Sequence, residues 1–190
     1  MRFLLEKIPE NNDFDPEIEG YHAIGEPSVL KLCLMAMPVI VISIFIIGLM
    51  LKIRFGANYH LSMTNSWRDV FLFVALIPIH EMLHVILYPD RISFPEIFIG
   101  SYKGSIYRSF LGDIKKERLL LQLIFPIIIL TVIPVLFLMI SNINYPLLSK
   151  IALMNMVLSS MDVISFCTFL KRIPANAKVR NNGHHTYWKL

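Results

Sequence analysis

The chain has 190 residues, of which 55% are hydrophobic and only 17% are charged. Soluble domains carry about 25% charged residues, so this composition excludes an ordinary water-soluble domain and predicts an integral membrane protein. The net charge of +4 does not indicate nucleic-acid binding, because the basic residues follow the distribution expected from membrane topology.

The predicted elements begin with an acidic segment, residues 1–28, which lacks an apolar core of signal-peptide length. Four apolar runs follow, each near the length of about 20 residues that spans a bilayer. Their bounds are about 29–51, 70–88, 119–140 and 148–170. We therefore predict an all-α polytopic membrane protein, a bundle of about four transmembrane helices. Residues 29–172 form its membrane-embedded domain, and residues 173–190 form a C-terminal tail.

Lysine and arginine residues are distributed unequally between the two sides of this bundle. With four spans, the N-terminal segment, the loop after the second span and the C-terminal tail share one side, and most of the 18 basic residues belong to them. The basic residues on the other side are Lys52, Arg54, Arg68 and Lys150. Because cytoplasmic loops carry the excess of positive charge, both termini are predicted to be cytoplasmic.

The loop after the second span contains a distinctive segment, residues 93–110, in which apolar and aromatic residues are interspersed with glycine and polar residues. This pattern predicts a short strand-like hairpin in the cytoplasmic loop, with a turn near Lys103 and Gly104. Two interpretations are open. The segment is an ordinary hairpin, or its edge accepts an extended substrate as an added strand.

The second span contains the motif His80-Glu81-Met82-Leu83-His84. On a helix the two histidines lie one turn apart on one face, where both imidazoles can bind a single zinc ion. The neighbouring Glu81 is then the predicted general base for the attacking water. Ionisable side chains are costly inside a bilayer, so the motif predicts a functional site.

A third metal ligand is predicted from the ionisable groups of the spans. Away from the span ends, Glu81 and Asp162 are the only carboxylates, and no lysine or arginine lies deep enough to pair with them. A divalent cation held by His80, His84 and Asp162 would balance this charge and supply the three protein ligands of a catalytic zinc site. Other candidates for the third ligand lie in or beside the cytoplasmic loop: Asp90, Glu96 and Glu117. The remaining histidines considered are His60, on the other side, and His184-His185, in the tail.

The fourth span carries a polar stripe, because Asn155, Ser159 and Asp162 are spaced i, i+4, i+7. Asn155 and Ser159 are candidates to hold a metal ligand or the substrate backbone. Small and polar residues also join neighbouring helices in membranes, and for Ser159 this simpler explanation is favoured.

Together these residues resemble the zincin peptidase family of small bacterial membrane proteins and, more distantly, the site-2 proteases. The resemblance rests on the motif in a membrane helix, the strand-like segment after it, Phe125-Pro126, and the stretches 155–162 and 171–174. It implies a protein of the bacterial cytoplasmic membrane in which His80, His84 and Asp162 hold zinc. One departure is Ser160-Met161-Asp162-Val163, which stands where site-2 proteases typically have Leu-Asp-Gly.

The resemblance also implies an activity: an intramembrane zinc metallopeptidase, in which water activated by zinc and Glu81 hydrolyses peptide bonds. Its partners would be a membrane-protein or peptide substrate and the lipid bilayer. The alternative is a non-catalytic scaffold that is stabilised by a metal and binds helices of partner proteins. A metal or proton transporter ranks lower, because the outer halves of the predicted spans lack ionisable residues. Histidines that only hydrogen-bond between helices would leave Glu81 and Asp162 unexplained.

Overall fold

The computed structural model describes residues 2–5, 8–56, 59, 66–88, 97–102, 105–110, 112–141, 143–183 and 185–190. Within these ranges the chain is mostly helical, and four helices are long and apolar enough to cross a membrane. They are Val29–Phe55, Trp67–Ile86, Lys116–Ile140 and Pro146–Arg172. The prediction of four helices of membrane length is confirmed, and their insertion into a membrane stays a prediction here.

The third of these helices is interrupted. The first two long helices are α1 (Val29–Phe55) and α2 (Trp67–Ile86), and the last is α5 (Pro146–Arg172). The third consists of α3 (Lys116–Ile127), a π turn (Ile128–Val132) and α4 (Ile133–Ile140). In the π turn the backbone N–H of Ile133 donates to the carbonyl of Ile128, five residues back. Pro134 follows at once and has no N–H to offer the carbonyl four residues before it, which favours a local departure from α-helical geometry.

The chain divides into two compact units, each described by itself. The helical unit comprises Ser28–His84 and Leu123–Ser165. The strand-rich unit comprises Met1–Pro27, Val85–Gln122 and Phe166–Leu190. The division of the sequence into segments 1–28, 29–172 and 173–190 concerned the membrane boundary and stays a prediction.

The core of the helical unit lies among α1, α4 and α5, where Leu51, Leu138 and Leu153 are almost fully buried. The opposite faces of its helices are also apolar. Phe45 of α1 is 67% exposed and Phe71 of α2 is 69% exposed. So many large apolar side chains exposed on long helices are unusual for a protein surrounded by water.

The described residues of the strand-rich unit form two small sheets. Its strands are β1 (Arg2–Leu5), β2 (His22–Ala23), β3 (Ile97–Tyr102), β4 (Ser105–Phe110), β5 (Ile114–Lys115), β6 (Lys178–Asn182) and β7 (His185–Lys189). One sheet has the order β1-β3-β4 and the other β2-β7-β6-β5. β3 and β4 form an antiparallel pair from Ile97↔Phe110 to Tyr102↔Ser105. The residues of the predicted turn, 103 and 104, lie outside the described residues, and the cytoplasmic location of the hairpin stays a prediction.

The second sheet joins the segment just before the first long helix to the segment after the last one, and no strands were predicted in either. β2 pairs antiparallel with β7, which pairs with β6. Short polar strands such as β6, Lys-Val-Arg-Asn-Asn, carry little β-propensity of their own. Their stability comes from packing, since Ala177 and Val179 are fully buried and Ile114 is nearly so.

Candidate metal centre

Two histidines of α2 form one side of the site. His80 and His84 are spaced by one helical turn and point to the same face of α2. Both are almost completely buried, at 3% and 1% exposure. Their Nε2 atoms lie 3.1 Å apart, so the two imidazoles present ring nitrogens to a common point.

Asp162 of α5 completes the group from the facing helix. Its Oδ2 lies 3.1 Å from His80 Nε2 and 3.3 Å from His84 Nε2. The three ligand atoms all lie within 4.8 Å of one another, and no other group of three such side chains converges in this way within the described ranges. The structure thus brings together the three residues that the sequence analysis proposed as metal ligands.

Asn155, two turns before Asp162 on α5, determines how His80 presents its ring. Its Nδ2 donates to the carbonyl of Pro126 at 3.1 Å and to Thr131 Oγ1 at 3.0 Å, which orients the amide. Its Oδ1 therefore faces His80 Nδ1, at 3.0 Å. Because this oxygen only accepts, Nδ1 must carry the proton, which leaves the Nε2 lone pair of neutral His80 free to bind a cation.

Thr131 anchors this network from the π turn. Its hydroxyl donates to the carbonyl of Ala152 at 3.2 Å and accepts from Asn155. Neither Thr131 nor the carbonyl of Pro126 was predicted from the sequence as part of the site. The sequence feature that could have indicated them is the pair of prolines at 126 and 134, which lie on either side of the π turn in the third apolar run. π turns of this kind are frequent at functional sites.

A sequence model of one protein family, described as putative zincin peptidase, matches residues 73–178. This stretch covers more than half of the chain and includes the residues that form the group. The chain belongs to this family. No curated protein and no solved structure matches the chain. The likeness to site-2 proteases stays a prediction.

Membership of the zincin peptidase family suggests zinc, and the site's geometry agrees with it. A tetrahedral zinc ion with bonds of about 2.0–2.2 Å separates its ligand atoms by about 3.3–3.6 Å. The observed separations of 3.1–3.3 Å need only a small expansion to meet that value. Neutral His80 Nε2 and the Asp162 carboxylate are both acceptors, so at 3.1 Å they repel unless a cation or a proton lies between them.

Glu81 lies on the same turn of α2 as His80 but is not one of the converging ligands. Its side chain is half-buried, whereas the histidines beside it are buried. In the HExxH arrangement the glutamate is the proton acceptor rather than a metal ligand, and this placement agrees with that division of roles.

Ser159, one turn from Asn155 on α5, is fully buried. Within the described residues its hydroxyl has no hydrogen-bond partner. The neighbouring Ser160 instead donates back to the carbonyl of Val157 at 2.7 Å, a common way to satisfy a serine within a helix. Ser159 therefore retains a free hydrogen-bonding group on the polar stripe.

Of the other candidates for the third ligand, Glu117 is the one that the structure describes, and it does not join this group. Glu117 belongs to the strand-rich unit, where its Oε1 accepts a hydrogen bond from the backbone N–H of Asn176 at 3.2 Å. Asp90, Glu96, His60 and His184 lie outside the described residues. His185 lies in β7 and is exposed.

Proposed function

We propose that this protein is an intramembrane zinc metallopeptidase, similar in type to site-2 proteases, that hydrolyses peptide bonds of membrane-associated or transmembrane substrates. The observation that carries the proposal is the convergence of His80 Nε2, His84 Nε2 and Asp162 Oδ2 at one buried point. The helices that supply these atoms, α2 and α5, are both long and apolar enough to span a bilayer. Family membership agrees with this activity.

Two features of the structure support embedding in a membrane. The outward faces of α1 and α2 expose large apolar side chains, among them Leu34 and Phe71, and lipid would cover them. The pairing of β2 with β7 joins a strand that precedes the first long helix to one that follows the last long helix, which agrees with an even number of crossings. The distribution of basic residues then favours cytoplasmic termini. Protease protection of epitope tags at both ends, measured in inside-out and right-side-out vesicles, tests this orientation.

In the proposed reaction His80, His84 and Asp162 hold the zinc ion. When bound, zinc would supply a Lewis acid that activates water and stabilises negative charge on the scissile carbonyl. Glu81 would accept the proton of the attacking water and pass it to the departing amine. Asn155 would keep His80 in the tautomer whose Nε2 is free, because its Oδ1 holds the proton of Nδ1.

A substrate of this site must present an extended backbone. A transmembrane helix hides its carbonyls in its own hydrogen bonds, so cleavage requires local unwinding, which glycine and proline near the cleaved bond would favour. Asn155 and Ser159 lie on the same stripe as Asp162, and the buried hydroxyl of Ser159 is available to a peptide group or to a water molecule.

The metal assignment is tested by the zinc content of purified protein in detergent, measured by mass spectrometry of the metal. We expect one zinc per wild-type chain and almost none in His80→Ala or Asp162→Ala. The matched control is His185→Ala, which removes an exposed histidine of β7 and should retain the wild-type content. Loss of zinc in His80→Ala but not in Asp162→Ala would move the third ligand to another residue.

The catalytic assignment is tested by Glu81→Gln. This variant should retain zinc and lose peptide hydrolysis by a factor of about 10²–10⁴, the usual contribution of a general base. Unfolded proteins and transmembrane peptides are the probes. Equal residual cleavage by wild type and Glu81→Gln would count against catalysis and favour the alternative, a zinc-stabilised scaffold that binds partner helices.

A further inference from the structure

A second polar feature of the helical unit lies at the N-terminal ends of α2 and α5. It is about three turns from His80 along α2 and from Asp162 along α5. A cavity of about 380 Å³ opens between these ends. Its charged lining residues are Arg68, Asp69 and Lys150, and the apolar ones include Phe71, Leu72 and Leu147. The metal centre does not use any of them.

The charges around this cavity do not cancel. Lys150 Nζ donates to Asp69 Oδ1 at 2.7 Å, in a pair whose side chains are only 19% and 14% exposed. This pair leaves the positive charge of Arg68 in excess. The guanidinium of Arg68 lies over the Trp67 ring, 5.8 Å from its centroid, and is exposed. No carboxylate within the described part of the chain pairs with it. Among the described residues that line the cavity, the charges therefore sum to one net positive charge.

The lining changes from charged to apolar along the helices. Arg68 lies in the first turn of α2, whereas Phe71, Leu72 and Ala75 follow within two turns on the cavity side. At 1.5 Å per residue, Ala75 lies about 10 Å further along the axis than Arg68. Trp67, which is 75% exposed, is a residue type that favours the membrane interface. The cavity thus has a cation at its mouth and an apolar slot, lined by Phe71, Leu72 and Leu147, further along the helices. This arrangement matches a molecule with an anionic head and a hydrocarbon chain.

We propose that this cavity binds an anionic phospholipid, with its phosphate at Arg68 and Lys150 and the start of an acyl chain along Phe71, Leu72 and Leu147. Lys150 has further N–H groups to offer beyond the one directed at Asp69, and arginine suits the planar, multidentate recognition of phosphate. Free phosphate would use the two cations but would leave the apolar slot empty. The inference rests on the proposed membrane embedding but not on the proposed hydrolysis.

The test uses Trp67 as a reporter next to the site. In a Trp188→Phe background, Trp67 is the single tryptophan of a chain that has two. The protein is reconstituted in phosphatidylcholine vesicles with increasing fractions of phosphatidylglycerol, and either lipid carries brominated acyl chains that quench nearby tryptophan. We expect brominated phosphatidylglycerol to quench Trp67 at lower mole fraction than brominated phosphatidylcholine does.

Arg68→Gln should weaken this preference about five-fold, because one basic residue near an anionic lipid surface contributes roughly 1 kcal/mol. Lys52→Gln is the matched control, since Lys52 is an exposed basic residue of α1 that does not line the cavity; it should retain the preference. Arg68→Lys should retain most of the preference for phosphatidylglycerol. That result would show that Arg68→Gln acts through the lost charge rather than through a folding defect.

Three results would overturn the inference. These are equal quenching by the two lipids in wild type, equal loss of preference in Lys52→Gln, and full competition by inorganic phosphate in the vesicle buffer. Zinc content measured on the same samples separates this site from the metal centre. Arg68→Gln should keep its zinc, whereas His80→Ala should lose zinc and keep the lipid preference.

Discussion

The two units each gather charged and polar groups, but they neutralise them differently. In the strand-rich unit, Arg180 Nε donates to Asp113 at 2.7 Å and its Nη1 to Glu19 at 3.1 Å. The same guanidinium lies 5.0 Å from the ring centroids of both Phe14 and Tyr21. In the helical unit, by contrast, His80, His84 and Asp162 direct acceptor or potential acceptor atoms at one point.

This difference distinguishes a structural cluster from a candidate metal-binding site. Burial alone would lower the pKa of Arg180, but its hydrogen bond to Asp113 and the charge of that carboxylate raise it. The Arg180 cluster is thus complete without a ligand, because each of its short contacts joins a donor to an acceptor. The histidine group instead presents atoms that could hold a cation. The hydrogen bond that His80 Nδ1 donates to Asn155 Oδ1 fixes the orientation of the ring rather than its charge.

Among the changes that compare the two clusters, the largest effect should follow from removing the hydrogen-bond partner of His80. Asn155→Ala takes away the acceptor of the His80 Nδ1 proton, so zinc affinity should fall by about 10–100-fold, as is usual for hydrogen-bond partners of metal ligands. Competition with a chromophoric chelator measures the affinity. Asn182→Ala, which alters an asparagine of the strand-rich unit, should leave it unchanged. Unaltered zinc affinity in Asn155→Ala would show that the hydrogen bond to Asn155 does not orient His80 for metal binding.

A substitution in the Arg180 cluster should affect stability and leave the metal centre unchanged. Arg180→Met leaves Asp113 and Glu19 without their shared cation, and because these side chains are partly exposed, the cost should be about 1–2 kcal/mol of stability. Thermal unfolding in detergent measures this loss, and zinc content should stay at the wild-type level. A drop in zinc content without a loss of stability would contradict the division between the two clusters.

A smaller effect is expected at Thr131. Thr131→Val keeps the shape of the side chain but removes the acceptor for Asn155 and the donor to Ala152. Asn155 keeps its bond to Pro126, so zinc affinity should fall only about five-fold, the equivalent of one net hydrogen bond. Thr131→Ser retains the hydroxyl and should behave as wild type. If Thr131→Ser and Thr131→Val lose affinity equally, packing rather than hydrogen bonding is at work.

The smallest effect concerns pH. Burial and the hydrogen bond to Asp113 raise the pKa of Tyr21 well above its ordinary value. A group whose pKa is raised by folding stabilises the fold below its unfolded pKa, which for tyrosine is about 10, and loses this contribution as pH rises further. Wild type should therefore lose stability above about pH 10 more steeply than Tyr21→Phe does. Parallel profiles of melting temperature against pH for the two proteins would refute this.

The sequence predicted the four apolar helices and the three converging side chains because these follow from short-range patterns. Helical periodicity places His80 and His84 on one face, and scarcity of charge in the spans singles out Asp162. Thr131 and the Pro126 carbonyl were missed, because their role depends on a π turn that helical periodicity does not predict. The sheet of the terminal segments was missed because the pairing of β2 with β7 joins residues such as His22 and Trp188, which no local pattern connects.

That last pairing has a consequence for biosynthesis. β2 leaves the ribosome early, but its partner strand emerges only after the last long helix has been made. Until then His22 and Ala23 have no strand to join in this sheet, so the N-terminal segment must wait while the intervening helices are synthesised. Closure of the sheet is therefore a late event in maturation, and chains truncated before residue 185 leave the early strand without its neighbour.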